Sequence, residues 1–92
     1  MRYRSRSDII TMILDSARAG ASKSKILYKA YLSYAQLVEY LKFLQENDLL
    51  VCEKETQLYR TTERGLKFLR ISNELHEMAL VPSSKNYYRA EY

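Results

Sequence analysis

The segment Ser-Tyr-Ala-Gln at residues 33–36 constrains the fold more than any other part of the sequence. It matches a capping box, in which the serine hydroxyl accepts a hydrogen bond from the glutamine amide and the glutamine side chain accepts one from the serine amide. Leu32 and Leu37 stand on either side of the cap, at the positions of a hydrophobic staple. A helix therefore begins at residue 34, and any upstream helix must end before Ser33. Two helices joined by so short a link cross rather than stack.

Apolar residues at helical spacing predict helices on both sides of this start. The first is capped within residues 5–8 and continues to Gly20; the second is capped by Ser22. The third runs over 33–47, and the fourth is capped by Thr61 or Thr62, covers about 62–81 and stops before Pro82. In the third helix the predicted inward residues are Leu37, Tyr40, Leu41 and Leu44.

Two short apolar runs predict a β-hairpin between the third and fourth helices. They cover residues 49–53 and 58–61, with a polar stretch between them. The predicted fold class is therefore mainly α with a small β-hairpin (α+β), in the order helix, helix, helix, hairpin, helix.

Composition excludes several classes of protein. A chain of 92 residues is expected to form one domain. With glycine only at positions 20 and 65 it cannot form a glycine-rich phosphate-binding loop. The lone Cys52 and the lone His76 supply neither a disulfide nor a zinc site, so we expect no metal, no cofactor and no enzymatic activity. No apolar run approaches the roughly 20 residues of a membrane span, and the single thiol favours a reduced, cytoplasmic location.

The net charge of +4 is unevenly distributed. In residues 1–32, seven basic and two acidic side chains leave +5. In residues 33–61, three basic and five acidic side chains leave −2, and the remainder of the chain carries +1. The basic end of the chain is typical of a surface that binds a polyanion.

The segments KSKILYKAYLSYAQLVEYLKFLQENDLL and LYRTTERGLKFL carry a family resemblance. Over about residues 8–71 the chain resembles the archaeal winged helix-turn-helix family of small predicted transcriptional regulators and chromatin-associated DNA-binding proteins. Asp48 departs from the family pattern, which usually has glycine there. Tyr31 departs as well, because a small polar residue such as asparagine is common at that position.

The resemblance implies that helix 33–47 enters the major groove of DNA, with the hairpin wing near the backbone or the minor groove. The predicted outward residues of that helix are Tyr34, Ala35, Gln36, Glu39, Lys42, Phe43 and Glu46. This face is not basic, so we expect only the first turn of the helix to approach the duplex. Affinity would then come from helix two, from the wing and from an N-terminal arm over residues 1–7, whose arginines are expected to lie in a minor groove. The candidate DNA-binding residues are Arg2, Arg4, Arg6, Ser22, Lys23, Lys25, Ser33, Tyr34, Gln36 and Lys54.

Each of these candidates has an alternative structural interpretation. Gln36 could serve only the capping box, and Tyr34 could be an exposed ring without a partner. The arginines of the arm could merely increase solubility. Tyr28 is ambiguous, because a phenol can pack its ring and leave its hydroxyl for a phosphate.

Apolar residues of the fourth helix predict a dimer interface. Phe68, Ile71, Leu75 and Met78 follow spacings of three, four and three, which form a seam of about two heptads. Packing on the domain core would explain Phe68 and Ile71, but it explains Leu75 and Met78 less well. We expect a homodimer through this helix, antiparallel by analogy with the family.

The predicted organisation is an arm over 1–7, a winged helix domain over 8–81 and a flexible tail over 82–92. The predicted partner is double-stranded DNA, bound by a homodimeric transcriptional regulator or a general, nucleoid-associated chromatin protein. The alternative is a winged-helix module that binds proteins of the transcription machinery through the acidic third helix and the tyrosines. No membrane partner is expected.

Overall fold

The computed structural model describes residues 4–80. Arg2 and the tail predicted over 82–92 lie outside the described residues. The elements are α1 (Arg6–Ser16), α2 (Lys23–Ala30), α3 (Tyr34–Glu46), β1 (Leu50–Cys52), β2 (Tyr59–Thr61) and α4 (Glu63–Leu80). This order confirms the mainly helical α+β fold with a hairpin wing.

Serine residues cap the N-termini of three helices, α1, α2 and α3. Ser33 Oγ accepts from the Gln36 amide at 3.2 Å, and Gln36 Oε1 accepts from the Ser33 amide at 3.0 Å. Ser5 and Asp8 form the same reciprocal pair at the start of α1. Hydrogen bonding to Ser5 holds the pKa of the Asp8 carboxyl below its usual value. Local contacts across three residues therefore fix where these helices start.

The core is formed by aliphatic side chains of α1, α2, α3 and the first part of α4. The largest fully buried side chains are Ile13, Leu14, Ile26, Leu37, Leu44 and Leu69. Leu32 and Leu37 are both buried, as expected for residues that flank the α3 cap. Phe43 was expected to face outward, and that prediction is wrong, because the ring is half-buried and packs against the core.

The wing is a short antiparallel hairpin in which Leu50 pairs with Thr61 and Cys52 with Tyr59. Ala21 adds an isolated bridge to its edge, exchanging hydrogen bonds of 2.9 and 2.8 Å with Tyr59. Thr61 is buried and donates through Oγ1 to the Leu14 carbonyl at 2.6 Å. The wing is therefore attached to α1 and to the segment that leads into α2.

Thr62, and not Thr61, caps the last helix. Its Oγ1 accepts from the Gly65 amide at 3.0 Å and donates to the Asp48 carbonyl at 2.7 Å. A Cβ at Gly65 would overlap the Leu49 carbonyl oxygen and Thr61 Cγ2. Glycine at this position therefore lets α4 pack closely on the loop between α3 and β1.

Candidate nucleic-acid interface

The N-terminal ends of α2 and α3 lie close together. Lys23, the first residue of α2, places Nζ 5.9 Å from the ring centroid of Tyr34, the first residue of α3. Helix N-termini carry partial positive charge, and the lysine adds a full one. The two helix starts therefore form one positively charged corner with an exposed aromatic ring.

The polar residues predicted at this corner are engaged in capping. Ser22 Oγ accepts from the Lys25 amide at 3.1 Å, and Ser33 and Gln36 hold each other across the capping box. The amide oxygen of Gln36 is thus used within the helix start, whereas its Nε2 group takes no part in the capping box. A bidentate contact with adenine uses both the oxygen and the nitrogen, so the adenine donor would have to share the Gln36 oxygen with the Ser33 amide.

Lysines supply the remaining charge of this surface. Lys25 and Lys29 are exposed on α2, and Lys54 is exposed in the turn of the wing. No acidic residue occurs between Asp15 and Glu39, so α2 and the first turn of α3 carry only positive side-chain charge. This segment is the part of the domain best suited to an anionic backbone.

Arg4 contacts the end of α2. Its Nη1 donates to the Ala30 carbonyl and lies 3.4 Å from Met12 Sδ, and its Nη2 donates to the Tyr31 carbonyl at 3.0 Å. Both carbonyls lie at the C-terminus of a helix, where a cation is stabilising. The guanidinium predicted to reach a minor groove therefore caps α2 from within the domain.

Arg6 is exposed, but its guanidinium also contacts side chains of the domain. It is the first residue of α1, and its Cζ lies 5.2 Å from the Tyr40 ring centroid and 4.7 Å from that of Phe43. Both rings belong to α3, so the contact ties the start of α1 to the helix expected to read DNA. Of the three arm arginines, the two within the described residues contact the helix-turn-helix.

Both departures from the family pattern occupy left-handed backbone. Tyr31 has φ 53° at the end of α2, and Asp48 has φ 59° just after α3. Tyr31 is also 78% exposed, as is Tyr28, and Tyr34 is 61% exposed. The last turn of α2, its C-terminal end and the start of α3 therefore present three tyrosine rings to solvent.

The outer face of α3 and the wing border an open groove. Glu39 and Glu46 are exposed on that helix, and β2 contributes Tyr59, whose burial raises the pKa of its phenol. The groove is lined by Lys23, Val38, Leu41, Lys42, Gln45, Glu46 and Tyr59. Its mixed charge does not match a phosphate backbone along the full length of α3.

The seam predicted on α4 changes from covered to exposed along the helix. Phe68 is half-buried against the core, Ile71 is 46% exposed, Leu75 is 62% exposed and Met78 is 76% exposed. Beside this stretch a second groove runs between α1 and α4. It is lined by Ser7, Asp8, Thr11, Met12, Ser72, Asn73, Leu75 and His76.

Two contacts that cap helices, one at the end of α3 and one at the end of α2, had no signal in the sequence. Arg64 Nε donates to the Asn47 carbonyl at 3.1 Å and so caps α3, as Arg4 caps α2. The donor and acceptor are 17 residues apart in one case and 26 or 27 in the other. Local spacing rules reach only three or four residues along a helix, so they cannot pair these groups.

Two other kinds of site are absent from residues 4–80. No three His, Cys, Asp or Glu side chains of this part of the chain form a group that could hold a metal ion. No helix in it is long and apolar enough to cross a membrane.

A profile described as winged helix-turn-helix matches residues 3–80. The crystal structure of Sso10a-2, a DNA-binding protein from Sulfolobus solfataricus, is similar with a TM-score of 0.74 and 22% identity. The similarity covers 83% of this chain and 82% of that one. No curated protein matches the sequence significantly.

Proposed function

The chain belongs to the winged helix-turn-helix family, and from this premise we propose that it binds double-stranded DNA with the first turn of α3 in the major groove. The observation that carries the proposal is the acid-free stretch over residues 16–38, which contains the N-terminal ends of α2 and α3. Lysines and helix N-termini on one surface favour phosphate oxygens. The name of Sso10a-2 as a DNA-binding protein agrees with this function.

The proposed contacts divide into two groups. Ser22, Lys23 and Lys25 meet phosphates at the start of α2, Lys54 does so from the wing, and Arg2 adds a further basic contact. Ser33, Tyr34 and Gln36 face base edges from the first turn of α3, with Gln36 offering its Nε2 donor. Arg4 and Arg6 act on the duplex indirectly, because they hold the α2–α3 turn and α3 in place.

The test is duplex binding by fluorescence anisotropy over a range of salt concentrations. About four lysine or arginine contacts per subunit give a log–log salt slope of about −4. Replacing Lys23 and Lys25 with glutamine should reduce the slope by about 2 and weaken binding to all sequences alike. The matched control replaces Lys67 and Arg70 of α4 with glutamine and should leave the slope unchanged. A flat salt response of the unaltered protein would rule out this function.

We further propose that the protein is a homodimer, paired antiparallel through the exposed stretch of the α4 seam. Ile71, Leu75 and Met78 expose apolar surface that the domain itself does not cover. Leu75→Asp should give monomers in sedimentation while circular dichroism stays helical. Asn73→Asp, which adds the same charge on another face of α4, is the control and should leave the dimer intact. A monomeric unaltered protein at high concentration would refute the interface.

A dimer that presents one proposed DNA-binding surface per subunit suits either a transcriptional regulator or a chromatin protein. We favour a regulator, because Tyr34 and Gln36 place groups at α3 that can distinguish bases. Genomic footprinting separates the two roles: a few sharp peaks indicate a regulator, and broad coverage indicates a chromatin protein. Gln36→Ala should change the preference among sequences only in the first case.

The acidic part of α3 favours a second candidate function, the binding of a protein partner. Glu39 and Glu46 are exposed beside the groove that includes Val38, which is itself 43% exposed. Replacing both glutamates with glutamine should strengthen duplex binding if α3 acts only on DNA, since it removes repulsion of phosphates. Loss of a nuclease-resistant partner in a pulldown with the same variant would instead support the protein-binding role.

A further inference from the structure

Three exposed tyrosines occupy the surface around the α2–α3 turn. Tyr28 and Tyr31 are 78% exposed, and Tyr34 is 61% exposed. They follow one another at intervals of three residues, on the last turn of α2, at its end and at the start of α3. We call these three residues the aromatic platform. Single exposed apolar residues are ordinary on protein surfaces, but here three large exposed rings occur within residues 28–34.

The central ring of the platform is held in an unfavourable backbone conformation. Tyr31 has φ 53°, a region that residues with a Cβ avoid and that asparagine or glycine tolerates better. Its exposed ring receives little compensation from packing in the core. Strained residues persist where the surrounding fold imposes the conformation, and they cluster at binding sites. The fold explains the left-handed turn, but it does not explain a tyrosine there.

Positive charge surrounds the platform. Lys23 Nζ lies 5.9 Å from the Tyr34 ring centroid, and Arg4 Nη2 donates to the Tyr31 carbonyl at 3.0 Å. Lys25 and Lys29 are exposed on α2, three residues before and one residue after Tyr28. No acidic residue lies between positions 16 and 38. The ligand of such a surface is an anion that also offers flat apolar faces.

Unpaired nucleic acid has both properties. Its phosphates match the lysines, and its bases expose π-faces on which aromatic side chains stack. In a duplex those faces are covered by neighbouring bases, and a protein reaches only base edges and the backbone.

We propose that the aromatic platform binds single-stranded DNA, with bases stacked on Tyr31 and its neighbouring tyrosines and phosphates held by Lys25 and Lys29. This activity goes beyond the proposed duplex binding and does not depend on it. Because Lys25 and Tyr34 belong to both proposed surfaces, a duplex and a single strand would compete for this part of the protein.

The experiment compares oligothymidine, oligouridine and a duplex, each about 12 nucleotides or base pairs long, by fluorescence anisotropy at one salt concentration. Tyr31→Asn removes the ring and suits the left-handed backbone, so the variant should fold. It should weaken oligothymidine binding about tenfold, as expected for the loss of one stacked base, and change duplex binding less than about twofold. Tyr31→Phe is the matched control and should bind oligothymidine as the unaltered protein does.

A spectroscopic measurement tests stacking independently of affinity. The chain has nine tyrosines and no tryptophan, so its intrinsic fluorescence reports on tyrosine alone. Oligothymidine should quench this fluorescence at saturation, and it should quench Tyr31→Asn and Tyr28→Gln to a smaller extent. Equal quenching of all three proteins would overturn the stacking site.

Other results of the anisotropy measurements also decide for or against the proposed single-strand site. Undiminished binding of oligothymidine by Tyr31→Asn, or equal losses for single strand and duplex, would overturn the proposal. An equal loss in Tyr31→Phe would overturn stacking in favour of a hydrogen bond from the hydroxyl. Tighter binding of oligouridine would overturn DNA as the ligand. Failure of the unaltered protein to bind the duplex alone would refute the proposed function and leave this inference standing.

Discussion

The helices α2 and α3 end in the same way, with different residues. Each passes into a non-glycine residue of left-handed conformation, Tyr31 with φ 53° and Asp48 with φ 59°. Each also has a C-terminal carbonyl that accepts from an arginine distant in sequence, Arg4 for α2 and Arg64 for α3. The fold therefore imposes the same geometry at two places.

The two left-handed residues differ in what their side chains contribute. Aspartate is short and polar and adopts this conformation more readily than bulky residues do. The Asp48 carbonyl also accepts from Thr62 Oγ1 at 2.7 Å, which joins the end of α3 to the start of α4. Tyr31 instead projects an exposed ring. The residue after α3 therefore links that helix to α4, whereas the residue that ends α2 leaves its ring in solvent.

The largest expected effect comes from Gly65, beside the end of α3. In Gly65→Ala the new Cβ would overlap the Leu49 carbonyl oxygen and Thr61 Cγ2, and backbone must shift to relieve the overlap. We expect the free energy of unfolding in urea to fall by about 2 kcal/mol, within the range for overpacking. Asn73→Ala, at an exposed position of the same helix, is the control and should not destabilise. A variant as stable as the unaltered protein would contradict the close packing at this end.

We expect the two capping arginines to contribute different amounts to the free energy of unfolding. Arg4 bonds two carbonyls and is partly buried, whereas exposed Arg64 bonds one. Replacement by methionine keeps the apolar stem and removes the guanidinium. Arg4→Met should lower the free energy of unfolding by about 1.5 kcal/mol, and Arg64→Met by about 0.5 kcal/mol. Equal losses would show that the ends of α2 and α3 depend on their arginines to the same extent.

Asparagine at the two left-handed positions measures the strain directly. Tyr31→Asn should raise the free energy of unfolding by about 0.5 to 1 kcal/mol, because asparagine tolerates positive φ better than tyrosine does. Asp48→Asn should change it by less than about 0.3 kcal/mol, since both residue types suit this conformation. Urea denaturation at neutral pH gives both values. A loss of stability in Tyr31→Asn would mean that the ring supports the fold.

The N-terminal caps extend the comparison to a smaller, pH-dependent effect. Asp8 and Gln36 occupy the same capping-box position, but only Asp8 titrates. Hydrogen bonding to Ser5 holds the pKa of Asp8 below its ordinary value. Its contribution to stability is therefore present above that ordinary value and is lost as pH falls through the lowered one. In urea denaturation from neutral to acidic pH, Asp8→Asn should show a weaker acid dependence, and Gln36→Glu a stronger one.

Much of the fold could be predicted because its signals are local. The start of α3, the staple leucines and the hairpin all depend on residues within a few positions of one another. Phe43 shows where such reasoning fails. It lies on the predicted outer face of α3, yet the core and the guanidinium of Arg6 cover its ring. Helical periodicity identifies which residues share a face, but it does not show how far neighbouring elements extend over that face.

The features of the candidate site also divide into those that the sequence predicts and those that only the tertiary structure shows. Sequence alone placed Lys23, Lys25, Tyr34 and Gln36 at the starts of two helices and identified the acid-poor, basic end of the chain. It also showed that positions 31 and 48 depart from the family pattern. Only the tertiary structure decided that Arg4 caps α2, that Arg6 covers α3 and that Tyr31 is strained and exposed. The physical reason is that a helix start is completed by groups three residues away, whereas these contacts join segments more than 20 residues apart.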